Sequence, residues 1–330
     1  MEETIVDLKP VKKVFSKIGL ALSAILLLAT AAQLALMLVP KLIWGENILI
    51  NSSWGKWFIS FAPLYLIAIP GGLLILRQLP AQTPADQKLG GKRFWVILPI
   101  CFCLMYGGNL IGNLLSMLLS GGNAQNAIVN YAMDTNPLKI LVMVILAPLL
   151  EEFVFRKQII DRTARYGEKT AVVLSALTFG LIHQNLFQFF YAFGLGLIFG
   201  YIYIRTGRLR YPVVLHSIIN FMGAVVAPWI MTVVDLDALS NIDPNASTEQ
   251  IMALYGEILP GLVIYLGYAF LLMQTALVGL VLLIIKFKKA QWQEAEEQLP
   301  PGTAAKTVYL NPGMVLFVVL CLAAFVWALL

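Results

Sequence analysis

The sequence predicts an all-α, polytopic membrane protein with about nine transmembrane helices, and three observations predict it. Of 330 residues, 59% are hydrophobic and only 12% charged, against about a quarter charged in an ordinary soluble domain. A water-soluble globule is therefore excluded. The apolar residues gather in runs of roughly 20, long enough for a helix rising 1.5 Å per residue to cross about 30 Å of hydrocarbon. When these runs are threaded up and down, all of the 23 Lys and Arg fall on one side except Lys41, Lys56 and Lys139. Basic loops resist translocation, so the first side is expected to be cytoplasmic, with the N-terminus inside and the C-terminus outside a bacterial plasma membrane.

The spans follow in order. The first, Val14 to Val39, comes after a Lys-rich stretch and holds Ala29-Thr30-Ala31, which resembles a signal-peptidase site. Its apolar character runs on past the length of a signal peptide, so a retained helix is expected. Trp54 to Leu76, Phe94 to Leu119 and Leu138 to Ile160 are the next three. Ala171 to Asn185 is short and meets Leu186 to Ile204 with hardly a loop, which makes Gln184, Asn185 and Gln188 a tight polar turn. Pro212 to Val234, Ile258 to Ile285 and Met314 to Leu330 complete the nine. Small-residue spacings at Gly108 and Gly112, and at Gly196 and Gly200, suit close helix packing.

The expected organisation is an N-terminal cytoplasmic segment with two helices over 1–93, a core over 94–234, an acidic external loop over 235–257, and C-terminal helices over 258–330 with a cytoplasmic linker at 286–313. The net charge of +5 belongs to the basic loops and the bilayer rather than to nucleic acid, which is not an expected partner. Cys101, Cys103 and Cys321 all lie in apolar runs, so they predict small buried hydrophobes rather than disulfides or a thiolate metal site. Nothing in the pattern sets an oligomeric state.

Polar groups deep in spans carry the functional argument, because an ionised side chain near the bilayer centre costs at least about 2.5 to 3.5 kcal/mol on insertion scales. Glu151 and Glu152 interrupt the fourth span, His183 ends the fifth, and His216 and Asn220 lie in the seventh. Counted from the basic end of each span, Glu151 lies about 14 Å in, His183 about 18 Å, Asn220 about 12 Å and His216 about 6 Å. Those levels overlap enough to share one cavity, expected to open toward the cytoplasmic half. Glu152 and Arg156 are four apart and face each other with the acid N-terminal, the better order for an ion pair. His216 and Asn220, also four apart, share a face. Adjacent Glu151 and Glu152 point about 100° apart, so one can be structural while the other faces a cavity. Pro148 weakens the helix just before them.

Each group alone has a structural reading: the ion pair as a staple between helices, the histidines as packing residues, Asn220 as an interhelical hydrogen bond. Together, both histidines of the chain and its adjacent carboxylates fall at compatible depths in three helices, which points to a site.

The motifs E-E-x-x-x-R (Glu151, Glu152, Arg156), F-x-x-x-H (Phe179, His183) and H-x-x-x-N (His216, Asn220), in that order on successive apolar segments, resemble the type II CAAX prenyl protease family, also called the Abi or CPBP family of intramembrane proteases. The resemblance covers roughly Leu138 to Met222, and Lys157 stands where the family has a small residue. It implies an intramembrane endopeptidase with its protease core at 94–234, acting on a membrane-bound or lipidated peptide or protein. It also implies roles: Glu151 activates a water that His183 helps to position, His216 and Asn220 stabilise the oxyanion, and Glu152 with Arg156 gives structural support.

Residue chemistry is compatible with those roles, since a carboxylate withdrawn from water is a stronger base, and an amide and an imidazole can both donate to a developing oxyanion. No cofactor is expected, although a zinc-dependent version using Glu151, His183 and His216 as a His₂Glu set is open. Against zinc, the chain has no H-E-x-x-H. Outside the enzyme class, the alternatives are a catalytically silent scaffold or regulator that binds a partner membrane protein, and a transporter with the polar cluster as a proton relay; the lack of repeats argues against the transporter.

Overall fold

The computed structural model describes residues 8–234 and 247–330, and among these every regular element is helical. Ten helices organise them: α1 (Lys9–Trp44), α2 (Ser53–Leu76), α3 (Gly91–Ser120), α4 (Ala127–Met133), α5 (140–163), α6 (Glu168–Leu181), α7 (Leu186–Thr206), α8 (Arg210–Thr232), α9 (Thr248–Phe287) and α10 (Pro312–Leu329). All nine expected spans are helical, but seven are long and apolar enough to cross a membrane. The two that are not are α5, which carries Glu151, Glu152, Arg156 and Lys157, and α6, whose 14 residues rise only about 21 Å. Glu151 and Glu152 lie on the first of these helices and His183 just beyond the end of the second, whereas His216 and Asn220 lie on the apolar α8.

Several boundaries differ from expectation for local reasons. The expected acidic loop at 235–257 is helical from Thr248, where Ser247 and Gln250 form a reciprocal capping box; residues 235–246 lie outside the described residues. Ala29 to Ala31 sit inside the unbroken α1, which buries Phe15, Ile18, Leu22 and Ile25 in the main core. Helix α4 has no counterpart among the expected spans, because seven residues cannot span and carry no strong period.

Close helix contacts are made where glycines permit them. A Cβ on Gly108 would lie 2.4 Å from the Tyr191 backbone nitrogen, and one on Gly112 2.4 Å from the Leu186 carbonyl oxygen, so α3 and α7 touch backbone to backbone. Gly196 brings α7 against the Ala176 backbone of α6, 2.9 Å from an added Cβ, and Gly200 packs on the Val172 side chain. Near the chain ends, Gly19 of α1 meets Gly313 of α10 so closely that added Cβ atoms would come within 2.2 Å and 1.8 Å of backbone on the facing helix.

Candidate active site

The fourth expected span places its acids by a change of helical pitch. Residues 140–146 and 153–160 are wound as π-helix, and between them Ala147–Glu152 is α-helical, with Pro148, which has no N–H to give, at the change of pitch. Such widened turns recur at functional sites. Here Glu151 and Glu152 leave the helix toward different surroundings. The Glu152 side chain is fully buried, whereas that of Glu151 keeps 24% of its surface accessible.

Glu152 is at the centre of a closed polar network. Arg156 Nε donates to its Oε2 at 2.7 Å and Nη2 to Oε1 at 3.3 Å, while Arg156 Nη1 donates to the Ser175 hydroxyl at 2.8 Å. Ser175 in turn donates to the Phe155 carbonyl at 2.7 Å. The guanidinium also lies 4.7 Å above the Phe179 ring and 5.9 Å from that of Phe199. These contacts occupy the charged groups of a buried pair, the condition under which it is tolerated.

His216 connects this network to the cavity. Its Nδ1 lies 3.0 Å from Glu152 Oε1, and because an ionised carboxylate only accepts, Nδ1 carries the proton. Its Nε2 lies 3.7 Å from Glu151 Oε2, too long for a hydrogen bond but close enough for an ion pair. Phe179 meets the ring edge-on at 5.8 Å and Phe199 stacks at 5.7 Å, fixing its plane. The expected pairing of Glu152 with Arg156 is present, and Glu152 additionally holds His216.

His183 follows the last turn of α6, with Nδ1 2.7 Å from the Phe179 carbonyl, so Nδ1 donates and Nε2 keeps its lone pair. The chain turns at once: Gln184 adopts a left-handed φ of 58°, and Asn185 caps α7 by accepting from the Gln188 backbone at 2.9 Å while donating to the His183 carbonyl at 2.7 Å. A non-glycine residue in that conformation stores strain beside the site. Asn220 donates through Nδ2 to the Met143 carbonyl at 2.8 Å, which uses one of its two N–H bonds and leaves the other.

Glu151, His183, His216 and Asn220 line one cavity of about 630 Å³, within the range of sites that enclose small ligands or side chains. Glu152 and Arg156 stand behind its wall. Gln33 of α1, Tyr65 of α2, Asn109 of α3, and Gln188 and Tyr191 of α7, none of them expected as site residues, also line the cavity. Gln188 donates to the Tyr191 hydroxyl at 3.0 Å, leaving that hydroxyl its own proton to give. Single polar residues in long apolar runs hinted at them, but only the packing of α1, α2, α3 and α7 brings them to one space.

The cavity does not open where the sequence depths suggested. Its lining continues from Glu151 to Ala132 and Met133 of α4 and Met231 of α8, at the end away from the basic loops. Depth along a helix gives a level but not which end is plugged, and buried Ile159, Ile160, Phe199 and Tyr203 fill the basic end. At the open end, Asp134 accepts from the Ser53 hydroxyl at 2.6 Å, the Trp57 indole at 2.9 Å and the Asn136 backbone at 2.9 Å, tying the chain after α4 to α2. The Ser53, Asn136 and Trp57 bonds hold its carboxyl below the ordinary value of 3.8, so the tie persists at neutral pH and is lost only as pH falls through that lowered value.

Among the described residues, no three His, Cys, Asp or Glu side chains group as a metal ion requires.

A profile of the Rce1-like type II CAAX prenyl endopeptidases matches residues 134–222, which contain all three motifs. The chain is 30% identical over 177 residues to the membrane peptidase candidate YdiL of Bacillus subtilis, covering 50% of this chain and 69% of the relative. It is 27% identical over 180 residues to the membrane-embedded CAAX protease MroQ of Staphylococcus aureus, covering 49% and 71%. To CAAX prenyl protease 2 of Arabidopsis thaliana it is 29% identical over 165 residues, covering 39% and 53%. No solved structure matches.

Proposed function

Because the chain belongs to the Rce1-like family of type II CAAX prenyl endopeptidases, it is a membrane peptidase, and we propose that it cuts a membrane-associated or lipidated peptide with a glutamate-activated water. The observation that carries this reading is the division of labour between neighbouring acids. Glu152 is consumed by Arg156 and His216, while Glu151 faces the cavity within 3.7 Å of the same imidazole.

In the proposed reaction, Glu151 takes a proton from a water steadied by the free Nε2 of His183. The resulting hydroxide attacks the scissile carbonyl carbon. Negative charge gathers on the carbonyl oxygen, where the unused N–H of Asn220 and a protonated His216 Nε2 can donate to it. Glu152, bonded to Nδ1, holds the ring in that orientation. Collapse of the tetrahedral intermediate breaks the C–N bond, and Glu151 returns its proton to the leaving amine, which restores the starting state. The water, the peptide and all protons are accounted for without a metal.

We also infer that the chain sits in a plasma membrane with the basic loops and N-terminus in the cytoplasm and the C-terminus outside, an orientation that the asymmetry of Lys and Arg supports.

Mass spectrometry of membrane peptides from cells carrying the wild-type chain or Glu151→Ala tests the reading. A fragment present only with the wild type is expected, with Glu151→Ala folded and its cleavage rate down by about 10²–10⁴. Identical peptide profiles would favour a silent scaffold instead. Exhaustive chelation is expected to leave cleavage intact; loss that added zinc restores would replace the metal-free mechanism.

A further inference from the structure

The two ends of the molecule are unlike in charge and in access to the site. One end is knitted from four loops: Gln82 N–H donates to the Asp161 carbonyl at 2.8 Å, Gln87 N–H to the Thr206 carbonyl at 2.9 Å, and Leu299 N–H to the Tyr166 carbonyl at 3.1 Å. The loops at 77–90, 161–167, 207–209 and 288–311 therefore form one surface, on which the Lys and Arg concentrate. None of these loops contributes a lining residue to the active-site cavity. Between them and Glu151 lie the filled layer of Ile159, Ile160, Phe199 and Tyr203 and the buried Arg156.

The cavity instead reaches the exposed Val129 and Met133 of α4 and Met231 of α8, at the end whose only Lys and Arg are Lys41, Lys56 and Lys139. Its wall suits an uncharged chain. Glu151 is the sole acid among its lining residues, no Lys or Arg borders it, and Gln33, Asn109 and Gln188 offer amides that can pair with peptide backbone.

We propose that the site is served from the face opposite the basic loops, so its substrate is an apolar, membrane-associated peptide segment that has already been carried across the membrane. The reaction that supplies the substrate is then an export or insertion step. A segment presented only from the cytoplasmic surface would have to pass the filled layer to reach Glu151. The proposal deepens the peptidase reading, taking Glu151 as the reacting group, and adds the side from which it is reached.

Sided labelling tests it. In a full-length chain with Cys101, Cys103 and Cys321 replaced by Ala, single variants Asn109→Cys in the cavity, Lys56→Cys at the open end and Lys88→Cys in the basic loops are treated with a membrane-impermeant maleimide. Intact spheroplasts and inverted vesicles are compared, with folding checked by gel filtration in detergent. Asn109→Cys and Lys56→Cys are expected to label in spheroplasts and to lose labelling in inverted vesicles, with Lys88→Cys the reverse. Labelling of Asn109→Cys from the side that labels Lys88→Cys overturns the proposal. So does its failure to label from either side, and so does labelling of Lys88→Cys in intact spheroplasts. The readout is independent of catalysis, so adding Glu151→Gln separates the two ideas: failure of the peptidase reading leaves the labelling pattern unchanged.

Discussion

Two adjacent glutamates do opposite work because burial assigns one to structure and leaves the other water. Replacing Glu152 with Gln removes the charge that holds Arg156 and His216, and an unpaired buried guanidinium should cost about 3–5 kcal/mol of stability. Thermal unfolding in detergent is expected to show a large drop for Glu152→Gln and almost none for Glu151→Gln, whose side chain reaches the cavity. Equal drops for both would mean that Glu151 is also a structural acid. Asn220→Ala should behave differently again, losing about 10²–10³ in turnover if its free N–H meets the oxyanion. These residues were legible in the sequence because an ionisable group in an apolar run has few structural excuses. Ser175 was not, since a serine in a helix ordinarily bonds its own backbone and its link to Arg156 exists only after α5 and α6 pack.

Helices position the site through contacts that small residues allow. Gly108 and Gly112 seat α3 on the first turns of α7, the segment that carries Gln188 and Tyr191 and follows the strained turn at Gln184. Gly108→Ala would drive its methyl into the Tyr191 backbone and should cost about 1–3 kcal/mol by overpacking. Neighbouring Gly107 meets nothing within 4 Å, so Gly107→Ala should be neutral or stabilising by about 0.5–1 kcal/mol. The difference in unfolding temperature between the two variants is the check, and parity would show that α3 and α7 tolerate separation. The small-residue spacing of these helices was readable, and so was the polar turn at Gln184 to Gln188. Helix α4 and the pitch changes of α5 were not, because a seven-residue helix and a π turn leave no period of their own in a uniformly apolar chain.

Across the described residues, α1 and α10 close against each other, and this closure reaches the cavity. Gly19 and Gly313 let α1 and α10 cross at backbone distance, with Ser16 Oγ accepting from the Gly313 N–H at 3.1 Å. Phe317 and Cys321 of α10 are buried in the same core as Phe15 and Leu22 of α1. Further along, α1 supplies Gln33 to the cavity wall and bonds α2 through Gln33 Nε2 and the Ser60 carbonyl at 2.8 Å. Gly313→Val forces the crossing apart, because even a Cβ there would lie 1.8 Å from the Ser16 carbonyl oxygen. The strain should pass along α1 to the wall that holds substrate, while Glu151, His216 and Asn220 keep their geometry on α5 and α8. The expected signature is a lower unfolding temperature and a raised KM with kcat nearly unchanged, the pattern of lost uniform binding. A fall in kcat at constant KM would show instead that α1 and α10 hold the reacting groups themselves.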